Sequence, residues 1–306
     1  MISPTKLKAS YCLRLANGQG WNIVATEEVK LWVEKLASIM ELNTCKADGY
    51  PKLVFVQREP SKGEFENPID RLDQSTQGNI PKDGWRVHRL GVLRLWYHDH
   101  VQDVICETEP DKNHDLDIIR MWHATHPIYQ RAQKLGGLPF HAALIERNGK
   151  GILLAGHGGA GKSTCCQYLP HSWHVLCDDE TLVVLNDQKE YFAHPFPTWS
   201  DYLWKRSERT WNVQQNLPLS AIFFLKQADT DEAVPIGQGE AAIFINQLAM
   251  DICQRNWRGL EQVEERALRK KLFDHACELG KAVPAYKLKI SLKGRFWEEI
   301  EAALEC

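Results

Sequence analysis

The chain has 306 residues, 43% of them hydrophobic and 25% charged, the composition of a folded globular chain with enough apolar residues for a core. Its formal net charge of −3 gives no overall basic field, which argues against nucleic acid and against an anionic membrane surface as partners. No apolar run approaches the roughly 20 residues that span a bilayer, and "MISPTKLKAS" lacks the apolar centre of a secretory signal.

The first third predicts a small α+β domain. "YCLRLA" alternates as a strand. In "TEEVKLWVEKLASIMEL", Thr26 is a suitable N-cap, two acids occupy the first turn, and the apolar residues recur at helical spacing. "KLVFVQ" is a short apolar strand. Residues 59–84, rich in Pro, Gly, Asp, Asn and Ser, predict a long loop. "WRVHRLG", "VLRLWYHDH" and "VQDVICETE" follow as strands. "PDKNHD" breaks the pattern, and a helix is expected over Leu116–Lys134. The domain boundary is placed near residue 112, giving domains 1–112 and 113–306.

Strand-like runs "GILLA", "ETLVVLN" and "SAIFFLKQ" come next, interrupted by the polar, aromatic segment "HPFPTWSDYLWKRSERTWNVQQ". Helices are expected over Glu240–Arg255 and Gly259–Gly280, then a strand "AYKLKISL" and a last helix in "GRFWEEIEAAL". Strands and helices alternate, so the fold class is α/β. The nine cysteines form no CxxC pair. Reduced thiols and a cytoplasmic location are expected.

The chemistry is concentrated in "GILLAGHGGAGKSTCCQYLPHSWHVLCDDETLVV". Gly156, His157, Gly158, Gly159, Ala160, Gly161, Lys162 and Ser163 match G-x-x-x-x-G-K-[ST], between a buried-type strand and a helix that begins with Thr164 close behind. Glycines let successive backbone N–H groups converge on phosphate oxygens. In such a loop Lys162 contacts the β- and γ-phosphates of a nucleotide and the Ser163 hydroxyl holds Mg²⁺. Asp178 and Asp179 follow Lys162 by 16 and 17 residues, enough for one short helix out and one strand back. Both carboxylates therefore return to the phosphate end. Neighbouring strand residues point to opposite faces unless the strand ends and bends there. One acid is then free for a metal and the other for an incoming hydroxyl.

These residues resemble the HPr kinase/phosphorylase family, bacterial enzymes that phosphorylate a serine of a small carrier protein. The matching pieces are His141-Ala142, the loop Gly156 to Ser163, and Cys177-Asp178-Asp179, within about Leu138 to Val183. The resemblance implies a P-loop kinase domain related to phosphoenolpyruvate carboxykinase, using ATP and Mg²⁺. It implies Asp179 as the base for the acceptor hydroxyl, Asp178 as a metal-assisting acid, His141 near the γ-phosphate and Lys162 neutralising it. The family's "RGLGI" segment and its C-terminal dephosphorylation motif have no counterpart, so the resemblance does not extend to the carrier-protein substrate or to phosphorylase activity. The features "GGLPFHAAL", "HPFP" and "VPAYKLKISLKGRFWEEI" are similar to divergent HPr-kinase-like proteins found beside peptide-modifying enzymes, the SynChlorMet cassette ScmC type. That setting implies a ribosomally made peptide as acceptor, through a Ser or Thr hydroxyl, and peptide-modifying enzymes as partners. The hexameric carrier-protein kinases make a homo-oligomer a further expectation.

Three functions stay open at this level: a kinase acting on a peptide or small protein, a small-molecule kinase with free serine as one acceptor, and a nucleotide-binding module that delivers a peptide to a partner enzyme. Other clusters are less specific. His98, Asp99, His100, His123 and His126 are the residue types of a zinc set, but surface histidines are the simpler reading. Arg206 and Arg209 fit either a γ-phosphate clamp or a solvated turn. The run Glu264, Glu265, Arg266, Arg269, Lys270 and Lys271 reads as a solvated helix face.

Overall fold

The computed structural model describes residues 7–45, 49–58, 68–72, 80–109, 113–254, 257 and 260–305. The chain divides into two compact units, one of residues 1–128 with 199–212 and one of residues 129–198 with 213–306.

The first unit is built from β1 (Leu7–Arg14), β2 (Gly20–Thr26), α1 (Lys30–Ile39), β3 (Asn43–Thr44), β4 (Lys52–Gln57), β5 (Trp85–Leu90), β6 (Leu93–His98), β7 (Val104–Thr108) and α2 (His114–Ala124). Its seven-stranded sheet has the order β3-β1-β2-β4-β7-β6-β5. The pairs β2–β4 and β4–β7 are parallel, and the pairs toward both edges are antiparallel. Val24, Val54, Val56, Ile105 and Trp96 form a core under Ile69, Leu72 and Ile80, and the Trp32 ring of α1 packs 5.4 Å from that of Phe55. Pro68–Arg71 makes a 3-10 turn within the expected 59–84 loop, most of which lies outside the described residues.

Several expectations are corrected here. Thr26 caps no α-helix: it precedes a 3-10 turn, Glu27–Val29, that comes before α1, and its buried hydroxyl has no hydrogen-bond partner among the described residues. The single helix expected over 116–134 is two, α2 and α3 (His126–Lys134), broken at Thr125. Pro127 explains the break. Inside a continuous helix it would lack the N–H for residue 123 and its ring would strike that carbonyl, whereas the first turn of a new helix tolerates it. Asn113 caps α2 instead, its side chain accepting from the N–H groups of Asp115 and Leu116.

The units divide after Ile128, later than the expected cut near 112. α2 packs on β6 and on α5 (Trp199–Leu203), elements of the first unit. The 199–212 segment returns to that unit through Trp211, which is buried and whose backbone N–H donates to the Ile39 carbonyl at 2.8 Å. A further correction concerns the thiols, because Cys12 and Cys45 form a disulfide with a Cα–Cα distance of 5.7 Å. The 33-residue separation hid it. Pairing of Cys12 with Asn43 across β1 and β3 brings Cys45 alongside.

The second unit continues with β8 (Leu138–Arg147), β9 (Lys150–Ala155), α4 (Lys162–Tyr168), β10 (His174–Cys177), β11 (Glu180–Leu185), β12 (Tyr191–Phe196), β13 (Leu217–Gln227), β14 (Glu232–Pro235), α6 (Gln238–Cys253), α7 (Gln262–Ala282), β15 (Ala285–Ile290) and α8 (Phe296–Glu305). Residues 255 and 259, the far end of one expected helix and the start of the next, lie outside the described residues. β8 pairs with β9 along one edge and with β10 and β11 along the other. β13 is parallel to both β9 and β15, and β12 pairs antiparallel with β11 and with the start of β13.

The middle of β13, Ala221–Phe224, is buried on both sides, as an apolar run in a central strand must be. Phe223 joins Cys165, Trp173, Phe296 and Ile300 on the α4 and α8 face. The next residue, Phe224, faces Phe244 of α6 at 5.1 Å. α7 packs on α6 so closely that a Cβ at Gly280 would lie 3.2 Å from Ala242 N and Gln238 O. The chain is thus a mixed α/β protein with two multi-stranded sheets. Among the described residues no helix is long and apolar enough to cross a membrane.

Candidate functional site

β9 ends at Ala155, and the chain turns through Gly156–Gly161 into α4. Gly159 and Gly161 have φ of +81° and +106°, backbone that L side chains adopt only under strain. A Cβ on Gly161 would also lie 3.0 Å from Ile290 Cδ1. The loop is tethered from both flanks. Gln227 at the end of β13 donates from Nε2 to the Gly159 carbonyl at 2.9 Å, and His157 Nδ1 lies 2.6 Å from Asp251 Oδ2 on α6.

Lys162 is only 5% exposed, and its Nζ donates to the carbonyls of Gly156 at 2.7 Å and His157 at 3.3 Å. Burial pushes its pKa down from the ordinary 10.5, while the carboxylates of Asp179 and Asp178 oppose that and favour the ammonium. The Asp179 Oδ1 stands 3.9 Å from Lys162 Nζ. Ser163 and Thr164 are exposed on the first turn of α4.

The acid pair occupies the kink between the end of β10 at Cys177 and the start of β11 at Glu180. β10 and β11 run along the same edge of β8: the register shifts by one between Val175 and Cys177, then Cys177 lies opposite Leu144 and Glu180 opposite His141, and Asp178 and Asp179 leave the ladder between these two pairs. The kink sends the two carboxylates to different partners. Asp179 Oδ1 lies 2.7 Å from His141 Nε2. Asp178 Oδ1 accepts from the Thr198 hydroxyl at 2.5 Å. His141 itself is carried to the loop by β8, where its carbonyl accepts from the Gly156 N–H at 3.3 Å. His141, Lys162, Asp178 and Asp179 therefore converge beside Gly156–Ser163.

A family profile, SynChlorMet cassette protein ScmC, matches residues 104–305, about two thirds of the chain. The chain belongs to the ScmC family. No curated protein matches it. The ScmC match takes in the glycine loop, the acid kink and every strand of the second unit.

Several residues of this ScmC site have no local sequence signal. Thr198 lies 20 residues beyond Asp178, and Asp251 and Gln227 reach the loop only through α6 and β13. Glu180 was legible as the third acid of "DDE". It is buried and accepts from the Tyr129 hydroxyl at 2.9 Å, an anchor directly behind the kink. Arg206 and Arg209 belong to the first unit, with their guanidinium groups over the Trp204 and Trp211 rings at 4.4 and 5.8 Å. Of the histidines considered for zinc, His98 Nε2 lies 3.0 Å from the Asp83 carbonyl, and His126 is buried near His88. Among the described residues no three His, Cys, Asp or Glu gather as a metal set.

Mg²⁺ fits the oxygen donors that remain. Asp178 keeps a second carboxylate oxygen beyond the one held by Thr198, and the Ser163 hydroxyl is exposed next to the loop. Such a sparse, all-oxygen set suits a hard cation completed by water and substrate phosphates, not zinc.

Proposed function

We propose that this chain is an ATP-dependent phosphotransferase of the HPr-kinase-like P-loop class, acting on a Ser or Thr hydroxyl of a peptide or small protein. The observation that carries this reading is the Asp179 carboxylate, 2.7 Å from His141 Nε2 and 3.9 Å from the buried Lys162 ammonium. A plain nucleotide-binding loop has no need of a carboxylate held there by a histidine. The P-loop kinase fold and the peptide acceptor are parts of this same proposal, and both rest on the resemblance to HPr-kinase-like proteins found beside peptide-modifying enzymes.

In this mechanism the glycine loop and Lys162 bind the triphosphate, and Lys162 balances charge on the terminal phosphoryl group. Asp179 orients the acceptor hydroxyl and accepts its proton as the new O–P bond forms and the bond between the γ-phosphorus and its bridging oxygen breaks, releasing ADP. His141 fixes the Asp179 carboxylate by the contact at its Oδ1. Asp178, steadied by Thr198, and Ser163 would hold Mg²⁺, which supplies charge neutralisation of the phosphates.

The test is incubation of the protein with Mg·ATP and Ser- or Thr-containing peptides, including precursor peptides encoded near it, followed by mass spectrometry. The expected product carries the mass of one added phosphoryl group, and Asp179→Asn removes it while leaving nucleotide binding intact. Tight ATP binding with no transfer to any peptide or amino acid would overturn the reading in favour of a peptide-delivery module.

A further inference from the structure

Among the described residues two cavities adjoin the glycine loop, one on each face of the second unit's sheet. We propose that the cavity on the α4 and α8 face holds the adenosine moiety of ATP, an inference that rests on the phosphotransferase reading. Strand order indicates on which side of the loop the nucleoside lies. β8 and β11 bring His141, Asp178 and Asp179 to one side of β9, and β13 and β15 lie on the other. Neighbouring strands are about 4.8 Å apart. A triphosphate with its terminal group at Asp179 therefore extends across β9, and its nucleoside emerges beyond β13 and β15. Both strands are parallel to β9, and β13 runs past it: Ala155 pairs with Phe224, whereas β13 continues to Gln227 opposite Ile290.

The cavity at those strand ends measures about 540 Å³ and is lined by Thr164, Tyr168, Asp229, Leu292 and Phe296 among others. That volume is within the range of small-molecule sites. Its rim accounts for two exposed apolar side chains, Tyr168 at 61% and Leu292 at 87%. Thr164 and Tyr168 are four residues apart and share one face of α4. An aromatic ring and a branched aliphatic chain are surfaces on which a flat base stacks. The exposed Asp229 carboxylate has no hydrogen-bond or ion-pair partner among the described residues and is suited to accept from the exocyclic amine of adenine.

The cavity on the α6 face, about 500 Å³, offers the amide oxygens of Gln227 and Gln247 but no carboxylate; its charged side chains are Lys226 and Lys287, the second already paired with Glu240.

The experiment compares Mg·ATP with magnesium tripolyphosphate by calorimetry, in the wild type and in a Tyr168→Ala, Leu292→Ser double variant. Both side chains are exposed, so the fold tolerates the changes. The wild type is expected to prefer ATP by at least about tenfold. The double variant is expected to bind ATP no better than tripolyphosphate, with tripolyphosphate affinity unchanged. Photolabelling with 8-azido-ATP is expected to mark peptides containing Tyr168 or Leu292. Wild-type ATP affinity in the double variant, or label on the Phe244 peptide of α6, overturns the inference. Tripolyphosphate binding with no margin for ATP overturns it alone. If neither ligand binds the wild type, the phosphotransferase reading falls and takes this inference with it.

Discussion

His141 Nε2 and Asp179 Oδ1 are 2.7 Å apart although 38 residues separate them in the chain. β11 pairs Glu180 with His141, so the residue just before Glu180 arrives beside the imidazole. In the proposed mechanism the two act as one unit, the histidine positioning and the acid accepting the proton. Asp179→Asn is expected to lower the transfer rate on the order of 10²- to 10⁴-fold, the usual contribution of a general base. His141→Ala is expected to cost less. The double variant is expected to be no slower than Asp179→Asn alone, because effects within a unit do not add. Single-turnover rates of the three variants check this.

Thr198 is 3% exposed and donates its hydroxyl to Asp178 Oδ1 at 2.5 Å. Thr198→Val keeps the shape and removes the donor, freeing the carboxylate that the mechanism assigns to Mg²⁺. Loss of such a supporting hydrogen bond typically weakens metal affinity by about 10- to 100-fold. The Mg²⁺ concentration for half-maximal transfer is therefore expected to rise by about tenfold or more. A metal titration that matches the wild type would separate Thr198 from the site.

Burial, reinforced by the imidazoles of His88 and His123, holds the His126 pKa down at about 3 against an ordinary 6.5. The unfolded chain takes up a proton that the folded chain refuses. The stability contributed by the neutral imidazole is complete above pH 6.5 and is lost as the pH falls toward 3, by about 1.4 kcal/mol per pH unit. Urea unfolding of the first unit between pH 7 and 4 is expected to show this slope. His126→Gln is expected to flatten it by one proton.

Gly280 sits where α7 meets α6, with Ala242 N and Gln238 O each 3.2 Å from the position of an added Cβ. The close neighbours are backbone atoms, which move only if a helix moves. Gly280→Ala is expected to destabilise the second unit by about 1–3 kcal/mol, the usual cost of overpacking, despite the better helix propensity of alanine. Thermal melting of the variant checks the sign, since propensity alone predicts stabilisation.

The amino-acid sequence by itself determined the α/β alternation, most strands within a few residues, and the glycine loop between a strand and a helix. All of these are local: side-chain periodicity, the conformational freedom of glycine and chain length set them within one segment. It did not reveal the break at Thr125, although Pro127 was there to be read, and it placed the reduced-thiol expectation on two cysteines that β1 and β3 pair into a disulfide.

What only the tertiary structure decided are the contacts made by register. The ladder between β8 and β11 chooses Asp179 over Asp178 as the partner of His141. The path of the chain after β12 gives Thr198 to Asp178 and returns 199–212 to the first unit. The physical reason is the two-residue period of a strand, by which a shift of one position would turn each side chain to the opposite face. Packing of α6 and β13 then adds Asp251 and Gln227 to a loop whose own residues carry no trace of them.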